Sequence, residues 1–355
     1  MGRTQDPDCG DFPIPPPSVA SAARSRASRA NTEDDRSSTS TTQREVRHPL
    51  YRENNLQLNH IHFRLADSPL PDAISGHLER LRAPRDSPEL SSDELGRLIH
   101  RVHVLDEGCV ETQVAAFLND TIFPSPPSGT DPDTDPDPDP AYGAATGLLS
   151  TSGAPMSPHL VPADPASPFK VSQPRPGKLY GYAGRAATRF TPSQLLAQTM
   201  LHPRIPDYAV ATPQGLRFPF LAVEFKAACG TTGNVWVAAN QCAGASAACV
   251  GAVERLNVLL RTCGGGSGLD MGRSVDHWAY SVAVDHHVAQ LYVSWKGDGL
   301  DFYMQRVGAF LLASPEHFAD FRRRVRNILD WGKGARLAEI GDALDRLAHR
   351  LWTAR

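Results

Sequence analysis

The chain has no surplus of charge of either sign: 36 Lys and Arg stand against 39 Asp and Glu, a formal net charge of -3 over 355 residues. A general electrostatic attraction to nucleic acid is thereby excluded, so any polyanionic partner has to be drawn to a local patch. The run Arg322, Arg323, Arg324 and Arg326 is one such patch, read either as phosphate contacts or as a solvated helix face. Cysteine is scarce: Cys9, Cys109, Cys229, Cys242, Cys249 and Cys263 lack the close pairing of a zinc site and are too few for a disulfide scaffold. That usage fits a reducing compartment, cytosol or nucleus. No stretch near Met1 is apolar enough for a secretory signal, and no later segment reads as long and apolar enough to span a membrane. Position 6 is Asp, not the Ser or Thr of a myristoylation signal.

Proline and glycine are abundant, at 30 and 28 residues, and only 41% of the chain is hydrophobic. Such a composition predicts unfolded segments beside a smaller core. Residues 1–48, rich in Ser, Thr, Arg and Pro without apolar periodicity, read as a disordered tail. Residues 125–168 contain the Pro/Asp alternation from Thr130 to Pro140 and read as a disordered acidic insertion, since an extended tract cannot wrap a cation as a cage does. Between them, residues 49–124 read as a helical part. Ile74, Leu78 and Leu81 share one helical face, and a second helix opens at Ser92-Asp93-Glu94. A third is expected from Asp106 to Ile122, with Glu111 on the face of Ala115, Leu118 and Ile122.

The densest pattern lies in residues 169–331. Leu179 to Tyr182 reads as a strand and Pro192 to Met200 as a helix. Tyr208-Ala209-Val210 and Phe218 to Phe225 read as a hairpin turning at Thr212 to Gly215. Val235 to Leu260 is one long helix whose first half is nearly all small residues, so it can lie close against a sheet. A Gly-rich loop at Gly264-Gly265-Gly266 leads to a second hairpin, Trp278 to Val284 with Val288 to Trp295. Phe302-Tyr303-Met304 adds a strand. Two amphipathic helices close the chain, near Pro315 to Leu329 and Ala335 to Trp352, the latter within a separate terminal segment, 332–355.

Pro206-Asp207 followed by Glu224-Phe225-Lys226 carries the chemistry. Alternation along a strand puts Glu224 and Lys226 on one face and Phe225 on the other. A carboxylate and an ammonium at the end of an apolar strand suit a Mg²⁺ site, with Lys226 acting on the attacking water. A satisfied salt bridge is the plainer reading of the same pair. Asp285-His286-His287 reads as a polar turn rather than a metal site, His100 and His103 have no partner motif, and Cys242 and Cys249 read as small core residues.

Phe218 to Lys226, Trp236 to Gly244 and Leu179 to Tyr182 together resemble the fungal PD-(D/E)XK nuclease-like proteins, over about residues 51 to 331. The resemblance implies an α/β (α+β) restriction-endonuclease-like fold, an αβββαβ core with a mixed central sheet flanked by helices. It implies a Mg²⁺- or Mn²⁺-dependent hydrolase acting on DNA or RNA, with Glu111, Glu224, Lys226 and Gln241 converging. The second metal-ligating carboxylate is Asp207 beside Glu224, or else it is missing, because the family's Asp before the Tyr-Gly-Tyr strand is replaced here by Gly177. With that ligand missing, the same fold would serve as an interaction module for nucleic acid or protein.

Overall fold

The computed structural model describes residues 45–85, 90–125, 148–184, 190–227, 233–264 and 274–353. Most of the 1–48 tail, the Pro/Asp tract and the Gly-rich loop after Gly264 lie outside them. In chain order the strands and helices are β1 (Ile61–Arg64), α1 (Asp72–Arg82), α2 (Ser92–Asp106), α3 (Glu111–Thr121), β2 (Leu148–Thr151), β3 (Lys178–Tyr182) and α4 (Pro192–Thr199). There follow β4 (Arg217–Phe225), α5 (Val235–Gly264), β5 (Trp278–Val284), β6 (Val288–Lys296), β7 (Phe302–Leu311), α6 (Pro315–Trp331) and α7 (Leu337–Thr353).

The seven strands form one mixed sheet in the order β1-β7-β6-β5-β4-β3-β2. Neighbours are antiparallel except at β4/β5 and β1/β7, which are parallel. A parallel pair cannot be joined by a tight turn, and α5 supplies the crossover from β4 to β5. Ala238, Ala239, Ala243, Ala245, Ala247 and Ala248 are all buried on α5, so the helix approaches the sheet as closely as its backbone permits. The other face is covered by α3 and α6: Phe123, just past α3, meets Phe225 of β4 and Phe321 of α6 edge-on, and Phe310 of β7 packs on Phe321. With both faces covered, β4 and β5 are buried along nearly their whole length, which accounts for their continuous apolar sequences.

Several expectations are corrected. Residues 148–168 are ordered: Leu148–Thr151 extends the sheet beside β3, and Met156 and Leu160 are buried, although four residues are too few to show a period. Order also begins earlier than residue 49, since Val46 is buried and its carbonyl accepts from Asn240 Nδ2. The 49–124 part is not purely helical, because β1 pairs with β7. The third helix does not start at Asp106; α2 runs on to that residue under a capping box formed by Ser91 and Glu94, and Gly108 at φ +129° turns the chain before Glu111 opens α3. The local hairpin shrinks to one bridge, Val210 to Arg217, because β4 spends its ladder on β3.

The C-terminal segment is part of the same core, with Ile340, Ala343, Leu344 and Leu347 of α7 buried. Against the sequence reading, Val235–Thr262 is long and apolar enough to cross a membrane, yet 72% of its most apolar window is buried inside the fold. Its apolarity is that of a helix laid across a sheet.

Candidate functional site

The ends of β4 and β5 define the site. Phe225 is in register with Val284, and Lys226 extends the ladder by donating its N–H to the Val284 carbonyl at 2.8 Å. Glu224 and Lys226 are both buried. The Gly177 backbone hydrogen-bonds the Glu224 carboxylate, and Cys242 of α5 lies close by. Glu224 Oε1 is buried with no hydrogen-bond partner among the described residues. Burial pushes the Glu224 carboxyl up to about 8, with Lys226 pulling it down and Glu111 pushing it further up.

Lys226 Nζ donates to Glu111 Oε2 at 3.3 Å and to its neighbour's carbonyl, Phe225 O, at 2.9 Å. Glu111 is the first residue of α3, where the helix N-terminus favours its charge, and its side chain is 37% exposed. Glu111, Lys226 and Glu224 are thus brought together, two carboxylates about one ammonium. A carboxyl held at about 8 stays protonated in the folded chain while the unfolded chain ionises near 4.5. This group therefore subtracts stability as pH rises through that window, on the order of 1 kcal/mol per pH unit at most. In the absence of divalent metal, Glu224→Gln is expected to gain thermal stability relative to the wild type between those two pH values. Melting curves that run parallel across the window would show the carboxyl to be unperturbed.

Asp207 is not part of this site. Its side chain is 79% exposed and pairs with Arg217 at 3.9 Å. Arg217 begins β4 and Glu224 nearly ends it, a separation of about 23 Å at strand rise. The position beside Glu224 belongs to Gly177, and a Cβ added there would meet Cδ2 of Phe225 at 2.6 Å. Gln241 is partly buried with Oε1 unpartnered, and it makes no hydrogen bond to Glu224 or Lys226 among the described residues. Its neighbour on α5, Asn240, is fully buried and accepts from Arg52 Nε at 2.7 Å. Cys242 and Cys249 are buried, as the sequence predicts, and burial pushes both thiols up, Cys249 to about 12.

The arginine run is engaged within the protein. Arg322 donates to the Thr121 carbonyl, Arg323 and Arg324 both pair with Asp320, and Arg326 is buried. Asp285 does make the expected turn, its Oδ1 accepting from the N–H groups of His287 and Val288. That turn also carries His286 and His287 to Asp106, a grouping invisible in the sequence because Asp106 comes from α2. Burial, and secondarily His287, hold the His286 imidazole below its ordinary range. His103 lies 3.6 Å from the other oxygen of Asp106.

A helix-flanked, mixed seven-stranded sheet with an ionisable cluster at the ends of its central parallel pair defines the class. Residues 107–344 match the family model described as Domain of unknown function (DUF7924), and the chain belongs to that family. No curated protein and no solved structure matches the chain.

Proposed function

We propose that the chain carries a restriction-endonuclease-like core and hydrolyses phosphodiester bonds in nucleic acid with the help of Mg²⁺ or Mn²⁺. In support, α3, β2, β3, β4, α5 and β5 keep the αβββαβ order, with the short helix α4 inserted between β3 and β4, and β4 and β5 run parallel across α5. The observation that carries the reading is Glu224: a buried carboxyl with one oxygen unpartnered among the described residues, beside a second carboxylate, offers a divalent cation the place that a proton otherwise takes. Glu224 and Glu111 would hold the ion, replacing the pairing expected with Asp207. A bound ion supplies Lewis acidity at the phosphate and a more acidic water. Lys226 orients that water and offsets charge on the phosphoryl oxygens, and the Gln241 amide supports the water from α5.

The purified full chain incubated with DNA and with RNA tests this. Cleavage should require Mg²⁺ or Mn²⁺ and vanish in Glu224→Gln. Cleavage surviving that substitution would belong to a contaminant and remove the proposal.

Gly177 favours a second reading. The ring of Phe225 fills the space a side chain would need there, so the second strand-borne carboxylate of the nuclease-like proteins has no room. In that reading the fold is a binding module for nucleic acid or protein, Glu224 stays protonated, and no Mn²⁺ binds at Glu224.

A further inference from the structure

We propose that Asp106, His286 and His287 form a separate metal centre, a site for a borderline divalent cation of the Zn²⁺ type with three protein ligands and an open position. Asp106 Oδ1 lies 3.5 Å from His286 Nε2 and 3.3 Å from His287 Nδ1. One ligand atom from each of the three residues falls within 4.8 Å of the others. In a tetrahedral site with metal bonds of about 2.0–2.1 Å, ligand atoms stand about 3.4 Å apart, so both distances already match an edge of that polyhedron. Two imidazole nitrogens and one carboxylate oxygen select Zn²⁺ and its neighbours over Mg²⁺, which takes oxygen ligands in an octahedron.

The surroundings hold these atoms in place. Cys109 Sγ sits 3.4 Å from His286 Nδ1, on the opposite side of the ring from Asp106, so the thiol orients the imidazole and leaves Nε2 for the metal. His286 itself is buried, with its side chain 3% exposed. The Asp285 carboxylate fixes the turn, and the Leu312 N–H donates to the His287 carbonyl. Asp106 ends α2, immediately before the chain reverses at Gly108. The metal would therefore tie the end of α2 to the β5–β6 turn. None of its ligands belongs to the Glu111, Glu224 and Lys226 cluster, so the proposal does not rest on the nuclease reading.

The test uses the full chain, stripped with a chelator and dialysed against Zn²⁺ in the presence of excess Mg²⁺, with Co²⁺ absorption as a second readout. We expect one Zn²⁺ per chain and the visible absorption of tetrahedral Co²⁺ with nitrogen and oxygen ligands. Asp106→Asn and His287→Ala should each weaken Zn²⁺ binding by at least about tenfold. Both side chains are partly exposed, at 37% and 57%, so the variants should keep the wild-type circular dichroism. Glu224→Gln should bind Zn²⁺ as the wild type does. A wild type that takes up no Zn²⁺, or uptake indifferent to both substitutions, would overturn the assignment. So would uptake lost in Glu224→Gln and kept in Asp106→Asn, which would place the ion at the other cluster.

Discussion

Lys226→Ala is expected to lower metal-dependent cleavage by about 10²–10⁴-fold while Mn²⁺ still binds, because an ammonium cannot ligate the ion and acts on water and phosphate instead. Glu224→Ala should lose cleavage and Mn²⁺ binding together. The buried setting adds a condition. Lys226 opposes the upward push on the Glu224 carboxyl, so removing it leaves that carboxyl more firmly protonated and the metal competing with a proton. Calorimetric titration of Mn²⁺ should therefore be run at several pH values, so that competition from the Glu224 proton is separated from the loss of a ligand. In the binding-module reading the two variants behave alike and neither titration shows heat. A Lys226→Ala protein cleaving at the wild-type rate would remove Lys226 from the chemistry.

Arg336→Ala is expected to destabilise the whole core by about 3–5 kcal/mol and to lower the melting temperature by roughly 10 °C. Arg336 is fully buried in the turn between α6 and α7. Its Nη1 donates to the carbonyls of Asp276 and Trp278, at 3.1 and 3.2 Å, and its guanidinium lies 4.9 Å from the Trp331 ring centroid. Asp276, Glu339, Tyr182 and Cys249 are its electrostatic neighbours. Truncation leaves a cavity at the foot of β5, two carbonyls without that donor and the half-buried carboxylates of Asp276 and Glu339 without their counter-charge. Arg336→Lys should recover only part of the loss, since a compact ammonium on a shorter side chain lacks the planar guanidinium that lies by the Trp331 ring while Nη1 reaches both carbonyls. Scanning calorimetry measures this, and a shift below about 2 °C would mean that water replaces the guanidinium.

Sequence by itself determined the elements whose side chains announce their own surroundings. The apolar run of β4 ending in Glu-Phe-Lys, the small-residue face of α5 and the alternation of β5 and β6 are consequences of periodicity, and all three stand in the structure. Periodicity of two also placed Glu224 and Lys226 together. It could not say that they would be buried, because burial depends on what α3 and α5 lay over them.

Tertiary structure alone decided the partners. β2 is four residues long and is a strand only because β3 offers a ladder. Asp207 looked adjacent to Glu224 while β4 was read as one arm of a local hairpin; once β4 pairs with β3 and β5, the length of the strand separates them and Gly177 takes the neighbouring place. Asp106 meets His286 and His287 across about half of the chain's length, through the end of one helix and the tip of one hairpin. Local pattern encodes which face of an element is apolar. Which face of another element covers it is settled by the packing of the whole sheet.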